Sequence, residues 1–436
     1  MTGYDAIIIG TVQAGPSLAR RLAGSGMKVA IIERDRFGGT CVNTGCTPTK
    51  TLVASAYAVH MARRGADYGF TTGGEVAVDM KRVKARKDYV AGLSNKGVER
   101  SLRNLENCTV YQGQARFVSP REVEVGTEVL SADRIFINVG GRAMVPDIPG
   151  LDAIDYLTNS SMLDVDYLPR HLLVLGGSYV GLEFGQMYRR FGSEVTIVEV
   201  GPRLIPREDE DVSEAVTAFL GREGVDIRTN AKCLHVSKRN GEIVMRLDCD
   251  GGAREVRGSH LLVATGRRPN TDDLGLDRAG VRQDARGYIE VDDELRTNVP
   301  GIWSMGDCNG RGAFTHTCPY RKLHPAVLMM KTAKDRPSGK LAMPLDRPMV
   351  WRILVQGQMR PEFVVIAGVG RKDPAQMGFA EDHDVIEAFA ADRTDQSLRM
   401  PVLPGRSWGR RVVTDAHGGK TPGDDVPVGP VAVADE

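Results

Sequence analysis

Residues 4–33 read Tyr4-Asp-Ala-Ile-Ile-Ile-Gly10-Thr-Val-Gln-Ala-Gly15-Pro-Ser-Leu-Ala-Arg-Arg-Leu-Ala-Gly-Ser-Gly-Met-Lys28-Val-Ala-Ile-Ile-Glu33. The apolar run over 4–9 does not alternate, which suits a strand buried on both faces of a parallel sheet. Gly10 to Gly15 forms a turn. Residues 13–25 read as a helix that tolerates Pro16 in its first turn. A second apolar run then ends on an acid, Glu33. Strand, glycine turn, helix and strand, with the acid about 20 residues past the first glycine, form the βαβ layout of a dinucleotide site. The helix N-terminus offers free N–H groups and a positive dipole end to a pyrophosphate, and Glu33 can accept from a ribose hydroxyl. Gly10, Gly15 and Glu33 are therefore candidate cofactor contacts. One position departs from the fingerprint: Val12 replaces the second glycine. That glycine lets the backbone approach the pyrophosphate, so a valine is expected to crowd it and to disfavour positive φ. Taken alone, the motif also fits an ordinary α/β turn.

The chain of 436 residues has room for about three domains. Its 57 basic and 56 acidic residues nearly cancel, which gives no pointer to nucleic acid or a membrane surface as partner. No apolar run approaches the ~20 residues needed to span a bilayer. The first residues lack a basic, apolar and small-residue leader pattern, so a cytoplasmic protein is expected. The seven scattered cysteines argue against a structural disulfide framework. One pair stands apart, in Gly38-Gly-Thr-Cys41-Val-Asn-Thr-Gly-Cys46-Thr-Pro-Thr-Lys50, ahead of an apolar run from Leu52 to Met61 that reads as a helix. A thiol at a helix start is reactive as its thiolate. The spacing closes a small loop, so Cys41 and Cys46 can cycle between disulfide and dithiol. Half a zinc site is the other reading, but there is no second close cysteine pair. His60, His171, His235 and His260 show no metal-ligand spacing, and no metal is expected.

The 38–50 string resembles the active-site signature of the class I pyridine nucleotide-disulfide oxidoreductases, a family that includes mercuric reductase, dihydrolipoamide dehydrogenase and glutathione reductase. It is most like the mercuric-reductase branch. The resemblance implies electron passage from NAD(P)H through FAD to the Cys41–Cys46 disulfide. In that scheme Cys46 contacts the flavin and Cys41 attacks the substrate. Lys50 sits near the flavin N5 and pairs with a glutamate of the nicotinamide domain. Gly39 and Thr40 fall among the implied cofactor contacts.

A second unit follows the same plan. His171 to Leu175 is a strand, Gly176-Gly-Ser-Tyr-Val-Gly181 the turn, Leu182 to Phe191 a helix, and Glu194 to Glu199 a strand ending in an acid. Ser178 replaces the second glycine here. One unit can serve flavin and the other nicotinamide, with Gly176, Gly181 and Glu199 as contacts. Glu199 would accept from a ribose 2′-OH and repel a 2′-phosphate, which favours NAD; Arg203 nearby softens that preference. The resemblance makes Glu183 the partner of Lys50. It makes Tyr179 the ring that stacks on the flavin until nicotinamide displaces it. Alone, Glu183 would read as a solvated helix residue and Tyr179 as packing. Val139-Gly-Gly-Arg142, with Gly140, and Ala264-Thr-Gly-Arg-Arg-Pro-Asn270, with Gly266, resemble the crossings between the two domains. Gly301-Ile-Trp-Ser-Met-Gly-Asp307 resembles the closing flavin motif, in which Asp307 bonds the ribityl chain. Residues 80–106 read as a long surface helix or a helix pair. The expected fold is α/β with two Rossmann-like domains: FAD-binding segments 1–155 and 273–318 flank a nicotinamide domain at 156–272.

The resemblance fades near Thr317. Residues 319–436 hold 12 of the 22 prolines and two of the three tryptophans. They read as an atypical segment, partly disordered, that does not match the family's α+β dimerisation domain. That domain's His-Pro with a glutamate five positions after the histidine is not recovered: His324-Pro325 is followed at that distance by Met329, and His383 with Glu387 has the wrong spacing. Phe363 to Gly368 reads as a strand, and Met400 to Glu436 as loop. The family's homodimer is therefore in doubt. A shifted coding frame and a replaced domain both account for the break, and translating the DNA in its other frames distinguishes them. The function expected is an oxidoreductase acting on a disulfide, a metal ion or a quinone. No cysteine follows Cys318, which weakens mercuric-ion reduction. The alternative is a catalytically impaired flavin- or nucleotide-binding protein.

Overall fold

A computed structural model describes residues 1–248 and 255–312. The chain begins with β1 (Thr2–Tyr4), β2 (Ala6–Ile9), α1 (Ala14–Gly24) and β3 (Val29–Glu33). Three helices follow: α2 (Gly39–Asn43), α3 (Cys46–Arg63) and α4 (Met80–Arg103). Then come β4 (Cys108–Gln112), β5 (Ala115–Ser119), β6 (Glu122–Val125), β7 (Glu128–Ala132), β8 (Ile135–Ile137) and β9 (Gly141–Ala143). After a short helix, α5 (Asn159–Met162), the second unit runs through β10 (His171–Leu175), α6 (Tyr179–Phe191), β11 (Glu194–Val198), α7 (Glu210–Arg222) and β12 (Asp226–Arg228). The remaining strands are β13 (Lys232–Arg239), β14 (Glu242–Asp248), β15 (Glu255–Gly258), β16 (His260–Val263), β17 (Arg267–Pro269) and β18 (Ile302–Ser304).

Two parallel sheets organise this α/β fold. One has the order β18-β8-β2-β3-β4 and the other β12-β11-β10-β16. Each carries an antiparallel meander on one face, β5-β6-β7 on the first and β13-β14-β15 on the second. The unbroken apolar runs follow from this layering. Ile7 and Ile9 point into a core shared with Phe117, Val123 and Leu130 of the meander, whereas Ala6 and Ile8 pack with Leu18 and Ala19 of α1. In the second sheet, Leu173 and Leu175 face Val236 and Met245, while Leu172 and Val174 face α6. That last core also contains Leu52 and Ala56 of α3 together with Phe184, Met187 and Tyr188 of α6. It therefore bridges the two βαβ units.

Several boundaries differ from the sequence-based expectations. The strand over 4–9 is split: Asp5 accepts from the Lys28 amide at 2.8 Å, and Thr2–Tyr4 joins β7 in another sheet. The stretch expected as a long helix or a helix pair forms one helix, Met80–Arg103, started by Asp79, whose side chain accepts from the Arg82 amide at 3.1 Å. The helix expected from Leu52 starts at Cys46, and the one expected from Leu182 starts at Tyr179. His324, His383, the 363–368 run and the rest of 319–436 lie outside the described residues. Among the described residues, no helix is long and apolar enough to cross a membrane.

Candidate active site

The first glycine turn is built by close contact. Gly10 has a φ of 99°, and a Cβ there would lie 2.2 Å from the Asn138 carbonyl oxygen. A Cβ on Gly15 would lie 2.4 Å from the Gly10 oxygen. Both positions therefore demand glycine for α1 to enter against β2. The buried Asn138 side chain accepts from the Gly15 amide at 2.8 Å and donates to the Met305 carbonyl at 2.9 Å, tying the start of α1 to the Gly306-Asp307 turn. The buried Glu33 carboxylate accepts from the amides of Thr11 and Asp35, both at 3.0 Å, and from the Thr11 hydroxyl. A carboxylate has about four acceptor positions, so one is left for a ribose hydroxyl. Positive φ at non-glycine positions occurs at Asn107, Ile205, Asn230, Asn240 and Leu295 among the described residues, so Val12 avoids that strain. Its side chain instead fills space beside two glycines. A Cβ on Gly39 would lie 2.6 Å from Val12 Cγ2, and one on Gly140 would lie 3.1 Å from it.

Cys41 and Cys46 span a helix junction. Cys41 is half-buried in α2, and the more exposed Cys46 is the first residue of α3. Gly45 makes the junction tight, since a Cβ there would lie 2.9 Å from the Thr40 oxygen. Lys50 lies one turn after Cys46 on the same face of α3. Its Nζ donates to Glu183 Oε1 of α6. Glu183 in turn lies one turn after Tyr179, whose hydroxyl donates to Glu208 Oε1. Cys46, Lys50, Glu183 and Tyr179 thus follow one another along the α3–α6 seam. Lys50 and Glu183 are 45% and 29% exposed, so the pair contributes placement more than stability.

The second turn repeats the packing of the first. Gly176 has a φ of 113°, with a would-be Cβ 2.5 Å from the Ala264 oxygen, and a Cβ on Gly181 would lie 2.1 Å from the Gly176 oxygen. Glu199 accepts from the amides of Gly177 at 2.6 Å and Gly201 at 2.8 Å. Arg203 donates to the carbonyls of Pro206 at 3.4 Å and Glu208 at 3.3 Å. Between the units, β9 pairs with β17, the Met144 amide donates to the Gly266 oxygen at 2.9 Å, and the Asn270 amide donates to the Gly140 oxygen at 3.1 Å. Arg267 joins the parts: it donates to the Gly141 oxygen at 2.6 Å and to Thr40 Oγ1 at 3.4 Å, and reaches Asp307 Oδ2 at 3.5 Å. Burial pushes the Asp307 carboxyl above its ordinary pKa, partly offset by the Arg267 charge. Among the described residues no three potential metal ligands cluster.

Residues 4–327 match the family model described as pyridine nucleotide-disulphide oxidoreductase. The chain belongs to this family. The match continues past Thr317, where the run of recognisable motifs ends. A mercuric reductase from Streptomyces lividans is 38% identical over 312 residues, covering 70% of this chain and 65% of that protein. A mercuric reductase from Bacillus cereus is 35% identical over 319 residues, covering 73% of this chain. The chain spans only half of that protein's length, 50%. A dihydrolipoyl dehydrogenase from Thermus scotoductus is 38% identical over 311 residues, covering 70% and 66%. Among solved structures, the Cu(II) complex of the HOCl-induced flavoprotein disulfide reductase RclA from Escherichia coli aligns with a TM-score of 0.65 and 34% identity, over 72% of this chain and 68% of that one.

Members of the pyridine nucleotide-disulphide oxidoreductase family use FAD and NAD(P)H. The first cradle offers groups suited to FAD: amides at the α1 N-terminus, the Glu33 carboxylate, Thr40 and the half-buried Asp307. Val12 is the discordant residue. Asn138, Arg267 and Glu208 were not singled out from the sequence. Arg267 lies within the Ala264–Asn270 string, and Asn138 directly follows an apolar strand, so both had a local signal. Glu208 had none.

Proposed function

We propose that this chain is an NAD(P)H-dependent flavoprotein oxidoreductase in which the Cys41–Cys46 pair passes electrons to a small disulfide, a metal ion or a quinone. The observation that carries this is the line Cys46, Lys50, Glu183, Tyr179, which runs from one dinucleotide cradle to the other. In this proposal residues 1–155 and 273–318 hold FAD through Gly10, Gly15, Glu33, Gly39, Thr40, Gly140 and Asp307. Residues 156–272 hold the nicotinamide dinucleotide through Gly176, Gly181, Glu199 and Tyr179, with Gly266 at the crossing. When bound, FAD supplies the two-electron relay between nicotinamide and sulfur.

The remaining chemistry belongs to the side chains. Cys46 opens an 18-residue helix, whose N-terminal dipole favours the thiolate. Lys50, held by Glu183, keeps a positive charge one turn away. With a disulfide acceptor, the Cys41 thiolate forms a mixed disulfide and one acceptor thiolate leaves. The Cys46 thiolate then closes the Cys41–Cys46 bond and expels the second acceptor thiolate. Preference for NADH over NADPH is supported by the Glu199 charge, and by Arg203 being engaged with the carbonyls of Pro206 and Glu208.

A second reading, a nucleotide-binding protein that retains flavin poorly, is favoured by Val12 filling the space beside Gly39 and Gly140. The absorption spectrum of the purified chain, before and after FAD reconstitution, separates the two. A flavin spectrum that gains a long-wavelength charge-transfer band on two-electron reduction supports the enzyme. A chain that stays colourless after incubation with FAD supports the second reading.

A further inference from the structure

We infer that Glu208 is a positioning residue that latches Tyr179 over the nicotinamide site. This rests on the proposal that Tyr179 borders that site. The ring is 36% exposed at the start of α6, and its hydroxyl is held from outside by Glu208, which lies on the loop between β11 and α7.

That loop is braced unusually well for an exposed connection. The Ile205 amide donates to the Gly177 oxygen at 2.9 Å, and the Ser213 hydroxyl donates to the Leu204 oxygen at 2.8 Å. The Glu208 amide donates to the Ile205 oxygen at 2.9 Å, and Arg203 caps the carbonyls of Pro206 and Glu208. Leu204 is fully buried and sits so close to the glycine turn that a Cβ on Gly177 would lie 2.6 Å from its Cδ2. Ile205 has a φ of 39°, a conformation that β-branched residues rarely adopt. Such strain persists only where the surroundings over-determine it, and it clusters at ligand clamps and switches. Here the loop fixes the Glu208 carboxylate beside the Tyr179 hydroxyl.

A nicotinamide ring entering beside Lys50 and Glu183 has to move the Tyr179 ring, and that breaks a charge-assisted hydrogen bond. The apparent affinity for the dinucleotide is thereby reduced by the fraction of molecules in which the latch is closed. Removing either half of the latch raises the open fraction, and removing both gains nothing more.

The test is isothermal titration of the full chain with NAD⁺ in the absence of an electron acceptor, for the parent, Glu208→Ala, Tyr179→Phe, the double variant and Glu208→Gln. Each single variant should bind about threefold to tenfold tighter. The double should bind no tighter than the better single, and Glu208→Gln, which keeps an acceptor oxygen, should fall between parent and Glu208→Ala. Gains that multiply in the double, or weaker binding by Glu208→Ala, would overturn the latch while leaving the nicotinamide site in place. Absence of binding in every version would remove the proposed function and the latch together. Matching thermal melts of the variants exclude a folding defect as the source.

Discussion

Replacing Val12 by glycine should raise the affinity for FAD by roughly tenfold to a hundredfold. The Val12 isopropyl group lies against Gly39 and Gly140, at the N-terminal end of α1. Both glycines have positive φ, 62° and 66°, and both present bare backbone toward the same gap. A pyrophosphate drawing on the amides at this helix end would have to approach past the valine side chain. One or two charge-assisted hydrogen bonds recovered at about 1.5 kcal/mol each give the stated factor. The FAD-free chain should lose about 1 kcal/mol, because glycine loses more freedom on folding and the valine contacts disappear. The two effects have opposite signs and are measured separately. Quenching of flavin fluorescence during titration gives the FAD affinity; thermal melts without FAD give the stability. The melting temperature of the variant should start lower and rise further as FAD is added. Equal FAD affinity in parent and variant would refute the crowding argument, whatever the melts show.

Three other outcomes follow from the geometry. Gly181→Ala should destabilise the chain by about 1–3 kcal/mol and weaken NAD⁺ binding, since its Cβ would meet the Gly176 backbone at 2.1 Å; denaturant melts and titration read both. Lys50→Met and Glu183→Gln should each slow reduction of the Cys41–Cys46 pair by NADH, with the double variant no slower than the worse single; multiplicative losses would show that the two act separately. Arg190→Ala should cost about 1.5–3 kcal/mol, because it removes the guanidinium that reaches the largely buried Glu223 carboxylate at 2.7 Å and leaves that carboxylate with the Gln186 amide. In the parent chain burial works to raise the Glu223 pKa, but Arg190 outweighs it and the net shift is downward. That carboxylate therefore stabilises the fold above the ordinary glutamate pKa of about 4.3, and the contribution fades as pH falls through the lowered value. Arg190→Ala should lose this acid-side dependence in pH-resolved melts.

The parts legible from sequence are those where local chemistry and tertiary environment coincide. Ala6–Ile9, Val29–Glu33 and His171–Leu175 are continuous apolar runs because helices cover one face of each sheet and a meander the other. The meanders carry a weaker signal. Glu122 to Val125 alternates as a half-buried strand should, yet it spans only four residues, and Lys232–Arg239 is interrupted by basic residues. The start of α3 at Cys46 is masked in the sequence because Thr47-Pro-Thr49 lowers helix propensity, although proline is acceptable in a first turn. At the site, glycine positions were readable because only backbone geometry is involved. The meeting of Lys50 with Glu183, far apart in the chain, came only through resemblance. Glu208 was invisible because its neighbour is set by a loop, and no periodicity encodes a loop path.

The core shared by α3 and α6 limits how this chain can be re-engineered. Leu52 and Ala56 lie in the same apolar cluster as Phe184, Met187 and Tyr188, so the unit proposed to hold nicotinamide is not an interchangeable cassette. A graft of residues 156–272 from a relative with different dinucleotide preference would bring its own α6 surface against an unmatched α3. The graft should succeed only when the α3 side chains that meet α6 are transplanted as a set, including Leu52 and Ala56, which have no proposed contact with a nucleotide.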